Sequence, residues 1–353
     1  MKDTLLIVGN GFDLQCGLKS HYEDFFNWLR KDNARTKDNV WAIHFLENLP
    51  KGKSWTCVEA SLLNTLQQQT ALKDSVNSYI KLNGEDGIIY LEESNASRGV
   101  RIRCLGTRGY YTRNICPYWF LDELMKFEHQ FAEYLKEQVQ ASTDYLPRAK
   151  KLILQLADGE NDYWDGRSLY VLNFNYPDPF ANKDITPRDE DEGGRTYSTN
   201  VHGTYESDNI IFGVDYTAKN LPSNMHFFTK THRKMLQTKS DKALFPNVDE
   251  IKFYGHSLGE ADYSYFHSIF DCYNLYGDKL GDYGYDDPVE LQFYFTIYDT
   301  TKDCEIKRNA TDSVYKLITT YGTTFENPDR GKNLLHKLLL EGRVHIKFLL
   351  NIT

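Results

Sequence analysis

Leu5-Leu6-Ile7-Val8 is an unbroken apolar run that stops at Gly9. An unbroken run suits a strand buried on both faces of a parallel sheet better than a strand with one wet face. The period then changes. Tyr22, Phe25, Phe26 and Leu29 recur at helical spacing, and Ser20 with Glu23 has the spacing of a capping box, so the opening reads strand, loop, helix. Residues 60–72 and 121–139 also carry helical patterns, the second through the stripe Leu124, Phe127, Phe131, Tyr134 and Leu135. Further strands are expected over 168–175, 210–214, 251–254, 289–298 and 344–349. Helices are expected from near Glu260 and Asp262, whose acids suit a first turn, and over 312–320 and 331–340. Residues 83–118, rich in Gly, Arg, Asn and aromatics, read as an irregular insertion and not as a sheet layer. Arg98, Arg101, Arg103, Arg108 and Arg113 lie there, on either a solvated loop or an anion-contacting lid.

Strands alternating with helices predict an α/β protein with a mainly parallel, Rossmann-like sheet flanked by helices. At 353 residues the chain can bury an ample core. One domain is expected over 1–353, with the insertion at about 83–118 and a C-terminal extension at about 275–353. A net charge of -9 argues against general nucleic-acid binding. The six cysteines contain no C-x-x-C pair, which excludes a zinc ribbon and a thioredoxin-type motif and fits reduced thiols in the cytoplasm. The first apolar run is far too short to span a membrane and lacks a cleavage site, so the expectation is a cytoplasmic protein with no membrane partner and no metal.

Four segments stand at the ends of expected strands: Gly9-Asn10-Gly11-Phe12-Asp13, Asn173-Phe174-Asn175-Tyr176, Val201-His202-Gly203 and Gly255-His256-Ser257-Leu258-Gly259. Ligands of open α/β sheets bind outside the carboxyl ends of the strands, so all four are candidates for one pocket. The first has only two glycines of G-x-G-x-x-G, with Leu14 in the third place. Its glycines permit close approach, and amides at the start of the next helix can face phosphate oxygens; a plain strand-to-helix turn is the other reading.

The run Leu6 to Leu14, with Gly17-Leu18-Lys19-Ser20 and Tyr22-Glu23-Asp24-Phe25, resembles the N-terminal hallmark of the bacteriophage abortive-infection AbiH family. Asn173-Phe174-Asn175-Tyr176, Val201-His202-Gly203, Ile211-Phe212-Gly213 and Gly255 to Tyr263 follow in that family's order. The resemblance implies defence against phage. The same steps are similar, more distantly, to the sirtuin NAD-binding fold, which implies a sirtuin-related core with NAD as ligand or substrate. On that likeness Gly9, Asn10, Gly11, Phe12, Asp13, Gly17 and Tyr22 hold the diphosphate and cover the ribose, and Gly255, His256 and Ser257 contact ribose and phosphate. Asn175 positions the ribose or a water, and His202 is the general base. Asp13 stands where sirtuins carry a small hydroxyl residue, and a carboxylate beside a diphosphate repels it unless it caps a helix or binds ribose.

Gly255-His256-Ser257-Leu258-Gly259 also fits G-x-S-x-G, with Asp299 and His345 following in the chain order of an α/β-hydrolase triad. In that alternative Ser257 is a nucleophile; in a plainer one it is a turn hydroxyl. The function expected is anti-phage defence through a nucleotide ligand, with NAD hydrolysis or nucleotide sensing without turnover as its two forms. The partners expected besides the nucleotide are a second copy of the chain or a phage-derived trigger.

Overall fold

The structure, a computed structural model, describes residues 3–48, 56–67, 90–93, 100–106, 109–115, 117–157, 168–182, 196–215, 221, 223–237, 248–277 and 288–350. The strands among these are, in chain order, β1 (Thr4–Val8), β2 (Tyr90–Glu93), β3 (Val100–Gly106), β4 (Gly109–Ile115), β5 (Leu169–Asn173), β6 (Thr196–Asn200), β7 (Glu250–Tyr254), β8 (Glu290–Ile297) and β9 (Val344–Leu350). They belong to two compact units: residues 1–19, 139–201 and 241–353, and residues 20–138 and 202–240.

The first unit holds a six-stranded sheet in the order β6-β5-β1-β7-β8-β9, with every neighbouring pair parallel. Numbered by their succession within this sheet, the strands run 3-2-1-4-5-6, the order of a Rossmann fold. β1 lies at its centre because both its faces are apolar. Leu5 and Ile7 pack with Phe253, Phe266, Phe293 and Leu317 on one side. Leu6 and Val8 pack with Tyr145, Leu152 and Tyr254 on the other. Each such buried side chain contributes roughly 1.5–3 kcal/mol.

The helix Tyr145–Leu156 covers that second face through Tyr145, Ala149, Leu152, Ile153 and Leu156. Its first turn lies past the carboxyl end of β1, where the Tyr145 hydroxyl donates to Asp13 Oδ1 at 2.6 Å. Its last carbonyl, Leu156 O, accepts from Lys252 Nζ in the middle of β7 at 2.9 Å. The helix therefore runs antiparallel to the strands. Pro147 makes it hard to see in the sequence, yet proline is tolerated in a first turn. The C-terminal residues supply β8, β9 and the helices Asp303–Gly322 and Pro328–Leu340.

The second unit contains the helices Tyr22–Lys31, Val40–Asn48, Thr56–Gln67 and Lys230–Leu236, and most of Pro117–Ala141. Its aromatic centre joins Tyr22, Phe25, Phe26, Phe127, Phe131 and Phe212. Two buried ion pairs tie these helices: Arg233 to Glu128, and Lys230 to Glu59 at 2.6 Å. Arg233 also donates to Phe212 O at 2.8 Å, while the Phe212 amide donates to Glu128 Oε1 at 2.6 Å. The Ile211-Phe212-Gly213 motif thus anchors a packed ion pair.

Three expectations are corrected. Residues 83–118 contain an antiparallel sheet, β2-β3-β4, where irregular chain was expected. The alternation Val100, Ile102, Cys104 against Arg101, Arg103 carried that signal, and Gly106 pairs with Gly109 across a hairpin. Residues 210–214 form no strand, only a bridge from Val214 to Thr229. The helix after Ser20 takes His21 as its N-cap without a side-chain cap, so Ser20 and Glu23 do not form the expected box.

Candidate functional site

The strand order reverses between β1 and β7: β5 and β6 continue to one side, β8 and β9 to the other. In open α/β sheets this point opens a crevice at the carboxyl ends. The loops that leave β1 and β7 meet there, backbone against backbone. Gly9 N donates to Tyr254 O at 3.0 Å, and Gly11 N donates to Gly255 O at 2.8 Å. A Cβ on Gly9 would lie 2.5 Å from His256 Cα, and one on Gly11 would lie 2.6 Å from Gly255 Cα. Gly255 has φ 65°, and its added Cβ would meet Phe12 N at 2.5 Å. The three glycines are therefore explained by contact between the two loops.

That contact corrects the expected role of the first loop's amides. Phe12 N donates to Gly9 O at 2.9 Å, so the amides of Gly9, Gly11 and Phe12 are all directed at protein carbonyls. They do not form a phosphate nest like that of a full G-x-G-x-x-G loop.

The loop after β5 joins the same place. Asn173, wholly buried at the strand end, donates to Pro177 O at 2.7 Å and accepts from Asn175 N at 2.9 Å. This closes a turn that aims Asn175 back at β1, where its Nδ2 donates to Gly9 O at 2.9 Å. Asn200, the last residue of β6, donates to Asn175 O at 3.2 Å. Amide side chains thus link the ends of β1, β5 and β6. Asn173 and Asn200 had no site role in the sequence reading, and their positions at strand ends were the signal available.

In the β7 loop, His256 and Leu258 are buried while Ser257 is exposed. His256 Nδ1 accepts from Leu258 N at 2.9 Å, and Nε2 lies 3.3 Å from Asp262 Oδ2. Asn10 is half-buried beside this loop pair.

Other expected contacts lie in packed interiors. The Phe12 ring is buried against Phe180 and Tyr254. Asp13 is fully buried and held by Tyr145, which accounts for a carboxylate here without a ligand. Burial, reinforced by the Asp13 charge, pushes the nearby Cys16 thiol upward, so this cysteine is an inert core residue. Burial likewise pushes Tyr254 up to about 12. Gly17, at φ 85°, lies against the Arg148 guanidinium.

In the second unit, Tyr22 is a core aromatic packed on Phe26, Phe131 and Phe212. His202 is also buried, and its carbonyl accepts from Ile211 N at 2.9 Å. Gly203 follows it at φ 81°, where an added Cβ would run into the Asn209 carbonyl. Among the described residues no group of three His, Cys, Asp or Glu side chains could hold a metal.

The triad alternative is not assembled. The left-handed residues of the loop are Gly255 and Leu258, not Ser257, and the following α-helix starts only at Tyr263, after a 3-10 turn at Glu260–Asp262. His345 pairs with Gln292, which pairs with Lys252, so it sits level with mid-β7 and two strands away, roughly 10 Å sideways. Asp299 Oδ1 accepts from Thr301 N and Oγ1, at 2.9 and 2.6 Å. Ser257 has neither the strained elbow nor its partners.

The loops after β1, β5 and β7 and the step after β6 all fall within residues 5–280, which match the model of a family described as bacteriophage abortive infection AbiH. The chain belongs to the AbiH family. The match ends before β8 and β9. No curated protein and no solved structure matches this AbiH chain, so its likeness to sirtuins rests on the four segments alone. Among the described residues of this AbiH protein, no helix is long and apolar enough to cross a membrane.

Proposed function

We propose that this AbiH protein acts in abortive infection by binding NAD or a related nucleotide at the carboxyl ends of β1 and β7 and hydrolysing its nicotinamide–ribose bond. One observation carries the reading: the sheet has Rossmann order, and the two glycine loops meet where that order reverses. Asn10 and Ser257 are the side chains proposed to meet the ligand, since Phe12 and Asp13 are committed to the core. In the reaction the bond from the ribose carbon to the nicotinamide nitrogen breaks as a water oxygen bonds to that carbon. Nicotinamide leaves with the bond's electron pair, and a base takes the water's proton. Asn175 is the residue proposed to orient ribose or water; a phage component is the proposed trigger.

Nucleotide sensing without turnover is the second reading. It is favoured by the commitment of the Asn175 amide to Gly9 O, which reduces its availability to a water.

Nicotinamide release from NAD by purified protein, with and without phage lysate, separates the two. Hydrolysis predicts release that is lost in Asn175→Ala while circular dichroism shows that the variant still folds. Saturable nucleotide binding with no product under any condition would reject hydrolysis in favour of sensing.

A further inference from the structure

His256 was expected to touch the ligand, and its surroundings give it a different task. Its Nδ1 accepts the Leu258 amide, so the proton of the neutral ring sits on Nε2, facing Asp262 Oδ2 at 3.3 Å. The ring stands edge-on to Phe174 and Phe266, each with centroids 5.0 Å away. Both nitrogens thus face protein groups, and two aromatic rings pack on the imidazole.

What the ring closes is a strained turn. Leu258 has φ 53°, a conformation that costs a leucine about 1–2 kcal/mol, and its side chain is buried in the core under β7. Gly255 at φ 65° opens the turn, and Gly9 of the β1 loop rests against His256 itself. A strained backbone fixed from so many sides around a single exposed residue motivates a functional hypothesis for that residue. That residue is Ser257.

We propose that His256 is a positioning residue: through the Leu258 amide it holds the Ser257 hydroxyl at the crevice mouth, where the hydroxyl bonds a sugar or phosphate oxygen of the nucleotide. The ligand half of this inference rests on the nucleotide reading above, and the turn half does not.

Two substitutions separate the ring's nitrogens. His256→Asn puts an amide oxygen close to the place of Nδ1 and can still accept the Leu258 amide. His256→Gln reaches only toward the place of Nε2. Exchange of the Leu258 amide, followed by NMR, is expected to quicken by about tenfold in His256→Gln and to stay near wild type in His256→Asn, as loss of one buried hydrogen bond implies. NAD affinity, measured by calorimetry, is expected to fall about tenfold in His256→Gln and in Ser257→Ala, with no further fall when the two are combined.

Unchanged Leu258 exchange in His256→Gln would overturn the positioning role even if NAD binds. Additive losses in the double variant would overturn the route through Ser257. Absence of nucleotide binding by the wild-type protein would overturn the nucleotide reading and the ligand half, while the exchange data would still decide the turn.

Discussion

His44 shows how one buried polar residue links the sequence to acid sensitivity. Its Nε2 lies 2.8 Å from Thr65 Oγ1, whose hydroxyl donates to Ser61 O at 2.7 Å. The ring is therefore the donor to Thr65, and Nδ1 accepts from the Asn48 amide at 3.3 Å. Burial lowers this histidine to about 4, against a usual 6.5. A depressed folded-state value means that the unfolded chain takes up the proton first. The stabilisation is complete above about pH 6.5 and is lost as pH falls toward 4, by about 3 kcal/mol. Urea denaturation at several pH values should show that part of the slope vanish in His44→Gln; equal slopes in both proteins would contradict it. Gly203 gives a second prediction at this scale. Its left-handed φ and the nearby Asn209 carbonyl leave no room for a methyl group, so Gly203→Ala should cost about 2–4 kcal/mol. An unchanged melting temperature would refute that. Asp13 was opaque in the sequence for a related reason. Its partner Tyr145 lies far along the chain, and no local pattern announces the pair.

Elements were legible where one period dominated. β1 read as a strand because its apolar run is continuous, and the long helix Pro117–Ala141 because its stripe repeats over many turns. β6, Thr-Tyr-Ser-Thr-Asn, offers only β-branched and polar residues at a sheet edge, and it passed unnoticed. Composition misled over 83–118, where abundant Gly and Arg concealed an alternation of period two. Packing between elements was hidden altogether. The glycines of the first loop suggested close approach to phosphate, and they proved to serve close approach to the β7 loop. The pair joining Pro117–Ala141 to Lys230–Leu236 is testable. Arg233→Met leaves the buried Glu128 carboxylate without its cation and should cost about 3–5 kcal/mol, whereas Glu128→Leu added to it should restore much of the loss. A double-mutant cycle by denaturation checks this, and a single-variant loss below about 1 kcal/mol would contradict it.

At the scale of the molecule, strand order could only be determined once pairing was known. The expectation of a Rossmann-like α/β sheet followed from alternating periods, but the order 3-2-1-4-5-6 and its reversal between β1 and β7 depend on partners over 240 residues apart in the chain. That reversal sorts the sequence motifs. It joins the Gly9, Asn175 and Gly255 segments, assigns Phe12 and Asp13 to packing, and dismantles the Ser257, Asp299 and His345 triad. It also places the AbiH motifs around Gly9, Asn175 and Gly255 together at the carboxyl ends of the sheet. The most direct test is calorimetric titration of NAD into wild-type protein and into Ser257→Trp, where an indole at this exposed position is expected to block the proposed nucleotide site without entering the core. The account predicts saturable binding by the wild type and none by Ser257→Trp at the same melting temperature. Equal binding by the two proteins, or no binding of NAD or a related nucleotide by either, would contradict it.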